Sequence, residues 1–312
     1  MIGIEPVSML FLLIVLGYMV KKRQLVSDSM ISDISSLLVN VALPAFIVTS
    51  MNFEFSMEVL INSGRLIMIS FVVYFCAILF SKVYSRAIRV EKSTKDIHEM
   101  VCIFSNVGFM GYPVVAAVYG ELGVFYAAMY NLGYNLLMWS YGANLINRQG
   151  RENRKSESVA LWQRIVKFFN PSLIAVIIGF GLFLTSTELP SILSQTLKMV
   201  GTMVTPLSMM CIGFILSGVD RKEIFTDYKA FLTTGVRLVL IPIILYVSLR
   251  VLGLRELMIA IPVVITGMPA AANTAIIAVR YKSDYRLASK LIFISTLLSI
   301  LSIPVLIQLV GV

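Results

Sequence analysis

Apolar residues in this chain gather into long unbroken runs instead of recurring on one face of a helix or alternating along a strand. Ten runs stand out, at roughly 6–20, 30–51, 63–83, 99–119, 121–146, 170–188, 191–218, 228–252, 256–279 and 287–309. The hydrocarbon core of a bilayer takes roughly 20 apolar residues of helix, so each run reads as one transmembrane span. The expected fold class is an all-α membrane protein with ten transmembrane helices. Its solvent is lipid, and every backbone polar group within a span has to be satisfied inside the protein.

The distribution of charge orients these spans. With the N-terminus outside, 21 of the 26 Lys and Arg fall in inner segments, and only Arg65, Arg250 and Arg255 fall outside. Lys198 and Arg237 lie within spans. This asymmetry follows the positive-inside rule and predicts both termini outside. The first run is preceded by Glu5 and followed by Lys21, Lys22 and Arg23, the reverse of a cleaved signal peptide. It reads as a retained helix.

Composition agrees, with 58% hydrophobic and 14% charged residues and a mean hydropathy of +0.88. The net charge of +9 sits between apolar runs, so it reports membrane topology and not a nucleic-acid partner. Cys76, Cys102 and Cys211 lie inside apolar runs without metal-ligand spacing, so they read as small buried hydrophobes and offer no disulfide framework or cofactor site. No metal and no cofactor are expected. An intramembrane aspartyl enzyme needs two membrane aspartates, a serine enzyme needs a base, and zinc chemistry needs ligands. None of these sets is visible, so no catalytic residues and no enzyme activity are expected.

The chain divides at its longest connection. Residues 1–146 form a first five-helix repeat, 147–169 a cytoplasmic linker and 170–312 a second five-helix repeat. The stretch SVALWQRIVKFF in the linker reads either as a short interfacial helix or as the ragged start of span 6. Pro6 pairs with Pro171, Pro44 with Pro206 and Pro113 with Pro269, at offsets of 165, 162 and 156 residues. An odd number of helices per half turns the second half over, which predicts an inverted repeat.

Spans 4 and 9 carry Gly108, Gly111 and Pro113, and Gly267 and Pro269, at mid-depth. Proline removes a donor and clashes with the preceding turn, and paired breaks of this kind point to a transporter's binding site. Proline also favours the first turn of a helix. Pro113 and Pro269 are therefore expected to start second half-helices whose N-termini meet near the midplane and favour an anion. All 17 Asp and Glu fall in loops or near span ends, so no carboxylate is available there to hold a cation.

The runs NVGFMGYP at 106–113 and MPAAANTAIIA at 268–278 resemble the two broken-helix motifs of the auxin efflux carrier family, whose members include plant auxin exporters and bacterial permeases for malate and similar acids. The resemblance extends to helix number, topology and the central loop. It implies a scaffold of helices 1, 2, 6 and 7 and a transport domain of helices 3–5 and 8–10. Helices 4 and 9 would cross at their breaks, with elevator-type alternating access, a homodimeric assembly and a multi-pass location in the cell membrane, in bacteria the inner membrane. By motif position it implies Asn106, Gly111, Pro113, Pro269, Asn273 and Thr274 as substrate-binding residues. The plant exporters' large hydrophilic loop is replaced here by a short connection, so their phosphorylation control and auxin itself are not carried over.

Several polar residues keep two readings. Asn106 and Asn273 either bind substrate or hold freed backbone. Asn131 and Asn135, one helical turn apart with Tyr134, either glue helices together or line the substrate path. Arg237 either snorkels to the inner surface or provides counter-charge for the substrate. His98 reads as interfacial or as a proton relay. The expected activity is secondary active transport of a small organic anion, a mono- or dicarboxylate, with proton or sodium as candidate coupling ions. The alternative is a sodium-coupled symporter of the bile-acid transporter type.

Overall fold

The computed structural model describes residues 4–91, 94–146, 170–218, 227–254, 256–280 and 283–311. The linker at 147–169, with its expected interfacial helix and Trp162, lies outside the described residues. So do Lys92, Arg221, Lys222, Arg255 and Lys282, which contributed to the orientation of the chain.

Every regular element among the described residues is helical. In chain order they are α1 (Ile4–Lys22), α2 (Asp28–Ser50), α3 (Met57–Ala87) and α4 (Lys95–Ile103). The helical stretch Val107–Ile146 turns at Gly120, whose φ of +65° suits glycine, and so forms α5 (107–119) and α6 (121–146). The second half holds α7 (Pro171–Thr185), α8 (Ser191–Ser217) and α9 (Tyr228–Val251). It ends with α10 (Leu257–Thr266), α11 (Asn273–Arg280) and α12 (Tyr285–Val310).

Among the described residues, six stretches are long and apolar enough to cross a membrane: α2, α3, Val107–Ile146, α8, α9 and α12. The chain is therefore a multi-pass membrane protein. Its outward surface fits that solvent. On α3, Met68, Val72, Phe75, Leu79 and Val83 recur every three or four residues and are all exposed. In water such a stripe would be a liability, whereas against lipid tails it costs nothing.

The chain forms two compact units. One comprises Met1–Ile67, Val107–Asn131 and Phe169–Gly218, and the other Met68–Asn106, Leu132–Phe168 and Val219–Val312. In the first unit, glycines bring helix backbones together. A methyl group at Gly17 would strike the Met210 carbonyl, and one at Gly213 the Ile14 carbonyl, so α1 and α8 meet backbone to backbone. At Gly201 a methyl would come 3.0 Å from the Phe46 Cα of α2. Without a hydrophobic drive between helices in lipid, this close van der Waals contact holds them together. Phe53, Phe125 and Phe183 complete the packing, with the Phe125 and Phe183 ring centroids 5.0 Å apart.

Among the described residues, four widened π turns punctuate the helices, at Leu38–Ala42, Val107–Gly111, Met138–Gly142 and Val236–Leu240. Three of them end two residues before a proline: Pro44, Pro113 and Pro242. Proline has no N–H and crowds the carbonyl four residues back, and one extra residue in the turn relieves both problems. Pro113 therefore does not start a half-helix as expected. The glycines Gly108 and Gly111 belong to the same continuous π turn, and the break in span 4 lies earlier, at Phe104–Asn106. Pro269 likewise lies in an extended link, four residues before α11 begins at Asn273.

Candidate binding site at the helix crossing

In the second unit the chain leaves α4 at Ile103 and α10 at Thr266, and the two extended links cross antiparallel. The Asn106 N–H donates to the Pro269 carbonyl at 2.8 Å, and the Ala271 N–H donates to the Phe104 carbonyl at 3.1 Å. Each break thus supplies the partners that the other needs. This answers the main cost of interrupting a helix at membrane depth, where an unpaired backbone group loses several kcal/mol. Pro269 suits its place because its carbonyl is used while its nitrogen has no proton to satisfy.

Side chains complete the crossing. The Ala270 N–H donates to Ser295 Oγ of α12 at 3.1 Å. Arg237 Nη1 donates to the Cys102 carbonyl at 3.0 Å, and its Nε donates to the Met268 carbonyl at 3.2 Å. Arg237 is only 1% exposed, so it does not snorkel to the surface. It stands in the π turn before Pro242, and that turn re-aims its side chain into the unit. Tyr134 hydrogen-bonds the side chain of Asn273 at the start of α11. The Thr274 side chain is fully buried, and its hydroxyl has no hydrogen-bond partner among the described residues.

The sequence-derived site residues separate by unit. Asn106, Pro269, Asn273, Thr274, Asn135 and Arg237 belong to the second unit, and Gly111, Pro113 and Asn131 to the first. Asn106 and Asn135 are buried, and Asn273 is half-buried. Asn131 is buried, and its Nδ2 donates to the Tyr112 hydroxyl at 3.1 Å, which favours the helix-glue reading for this residue. Ser295 escaped the sequence reasoning. Its signal was there, since Ser295 and Ser299 recur one turn apart inside an apolar span, and such polar residues in lipid face protein.

The polar end of α4 is also buried. His98 Nδ1 lies 2.7 Å from Thr233 Oγ1, and Thr233 Oγ1 lies 3.0 Å from the Tyr84 hydroxyl. His98 is thus buried and not solvated. It precedes the apolar run that starts at Glu99, and burial pushes its imidazole down to about 4 against the opposing pull of Asp227. Glu99 accepts from Ser85 Oγ at 2.7 Å. No group of three His, Cys, Asp or Glu side chains is placed to hold a metal ion among the described residues.

A family model described as a membrane transport protein matches residues 2–307. The chain belongs to this membrane transport protein family, that of the auxin efflux carriers. Within reach of this family are an uncharacterized transporter of Methanothermobacter thermautotrophicus, 27% identical over 303 residues, covering 96% of each chain. An uncharacterized transporter of Methanocaldococcus jannaschii is 24% identical over 306 residues, covering 97% of each. A Rhizobium meliloti protein provisionally named a malonate transporter is 23% identical over 208 residues, covering 66% of this chain and 64% of its own length. The family resemblance drawn from the two broken-helix motifs therefore holds along nearly the whole chain, and membership of it makes this a transport protein.

Proposed function

We propose that the chain is a secondary active permease for a small organic anion, a mono- or dicarboxylate, bound beside the crossing at Asn106, Asn273 and Thr274. Gly111 and Pro113 shape the turn that follows Asn106. The observation that carries this reading is the charge of the crossing. The N-terminus of α11 carries about half a positive charge, with the Thr274 and Ala275 N–H groups donating to the Ala271 and Ala272 carbonyls, and a buried guanidinium lies on the same crossing. The segments 100–120, 122–151 and 257–283 contain no Asp or Glu. An electropositive site without carboxylates in low dielectric attracts an anion and repels a cation. The buried Thr274 hydroxyl supports the same place, because a buried polar group without a protein partner is commonly completed by a ligand or water.

The wider architecture belongs to the same proposal. The ten spans form two inverted five-helix repeats, with both termini outside, and the protein works as a homodimer in the cell membrane. Access alternates by an elevator-type movement. The crossing, Arg237, Ser295 and Tyr134 all belong to one compact unit, so they can travel as one body. Asn135 lines the path within that unit.

The name carried by the Rhizobium relative makes malonate a sensible first probe. Purified protein in liposomes should exchange labelled malonate for unlabelled dicarboxylate, and Asn273→Ala should cut that exchange by at least about tenfold, the loss of one hydrogen bond to a charged group. Exchange unchanged by both Asn273→Ala and Asn106→Ala would remove the site from consideration.

A further inference from the structure

We propose that Arg237 is a built-in counter-cation of the broken helices, and that it fills the place an alkali cation would take in a cation-coupled carrier. The inference deepens the anion-permease reading and rests on it.

The argument starts from the ends of α4 and α10. A helix C-terminus carries unsatisfied carbonyls and about half a negative charge. Two such ends meet at this crossing, and together they amount to about one negative charge. In carriers with interrupted helices, unwound carbonyls and half-helix C-termini are the groups that coordinate sodium or a proton. Here one full positive charge already stands between them. Arg237 donates to Cys102, in the last turn of α4, and to Met268, just past the end of α10.

Guanidinium chemistry suits this task. Its donors form a rigid planar fork, so Nε and Nη1 can each take a carbonyl in a fixed direction. The group cannot lose its proton in a protein, so the charge stays through the whole transport cycle. A bound sodium would enter and leave with the substrate and couple transport to its gradient. A side chain on α9 cannot leave. The arrangement therefore neutralises the carbonyl ends permanently and leaves the N-terminal side of the crossing electropositive for the anion. It predicts transport that needs no sodium, and it assigns Arg237 as a positioning residue that fixes the crossing without touching the substrate.

The test uses the full-length protein, purified and reconstituted, with a labelled dicarboxylate as substrate and choline replacing sodium. Wild-type flux should be the same in both salts. Thermal stability in detergent should likewise be indifferent to sodium. Arg237→Ala should lose at least about tenfold in flux, as one charge-assisted hydrogen bond would. Millimolar methylguanidinium should restore its stability and part of its flux, because the carbonyl cradle remains. Arg237→Lys keeps the charge but lacks the fork, and should fall between the two. Wild-type flux or stability that depends on sodium would overturn the proposal. So would an Arg237→Ala protein that matches wild type in both readouts, or one rescued by neither methylguanidinium nor sodium. If Arg237→Ala does not fold, the wild-type sodium comparison and Arg237→Lys decide alone. If no dicarboxylate is moved at all, the anion-permease reading fails while the stability measurements still decide the role of Arg237.

Discussion

Ser295→Ala removes a single oxygen that accepts the Ala270 N–H at 3.1 Å and donates to the Ile292 carbonyl at 3.1 Å. Ser295 is fully buried, and so is Ala270, so water does not replace the lost acceptor. The Ile292 carbonyl keeps its helical bond, and the cost therefore falls on the Ala270 N–H. Leaving one buried donor unsatisfied costs about 1–3 kcal/mol. The crossing itself survives, because the Asn106–Pro269 and Ala271–Phe104 bonds are untouched. Its local opening should become about 5- to about 150-fold more frequent, at tenfold per 1.4 kcal/mol. Hydrogen–deuterium exchange read by mass spectrometry on peptides covering 264–276 measures this opening. Faster exchange should be confined to that segment and to its partner at 100–107. Exchange identical to wild type in both segments would refute the reasoning that Ser295 holds the link.

Three further outcomes follow from the structure. Gly213→Val should lower the yield of folded protein in size-exclusion chromatography, because its Cβ meets the Ile14 carbonyl and overpacking costs about 1–3 kcal/mol. Asn131→Ala removes a donor to Tyr112 and should reduce stability by roughly 0.6–1.7 kcal/mol while leaving dicarboxylate exchange largely intact. His98 has a folded-state pKa lowered to about 4 from 6.5, so protonation favours the unfolded chain. Its contribution is complete above pH 6.5 and declines as the pH falls toward 4; thermal stability should drop over that window, and His98→Asn should flatten the slope.

Much of the fold was legible because lipid imposes simple rules. Apolar runs marked where helices lie, and Gly120 separated two of them where the sequence divides 99–119 from 121–146. The existence of two interruptions was readable from Gly and Pro, but their positions were not. Pro113 suggested a helix start, yet a π turn accommodates it, and the break moved back to Phe104–Asn106, which contain neither Gly nor Pro. That break is set by tertiary pairing with 269–271, a contact about 160 residues away in sequence that no local pattern reports. Asn106, Asn273 and Thr274 were named from the motifs, and all three belong to the second unit. Arg237 stayed ambiguous because a cation eight residues into a span can reach either the surface or the interior, and the π turn that decides between them is written only weakly, as Pro242. Ser295 was hidden among several hydroxyls of one apolar span.

The central claim is that a carboxylate sits at the start of α11, beside the crossing. Solid-state NMR on the protein in lipid can test it with a carboxylate-labelled dicarboxylate and backbone nitrogen labels at 272 and 273. The account predicts strong carbon–nitrogen dephasing, the signature of hydrogen-bonding contact, and its loss in Asn273→Ala. A bound, transported dicarboxylate that produces no dephasing with either of those nitrogens would contradict it.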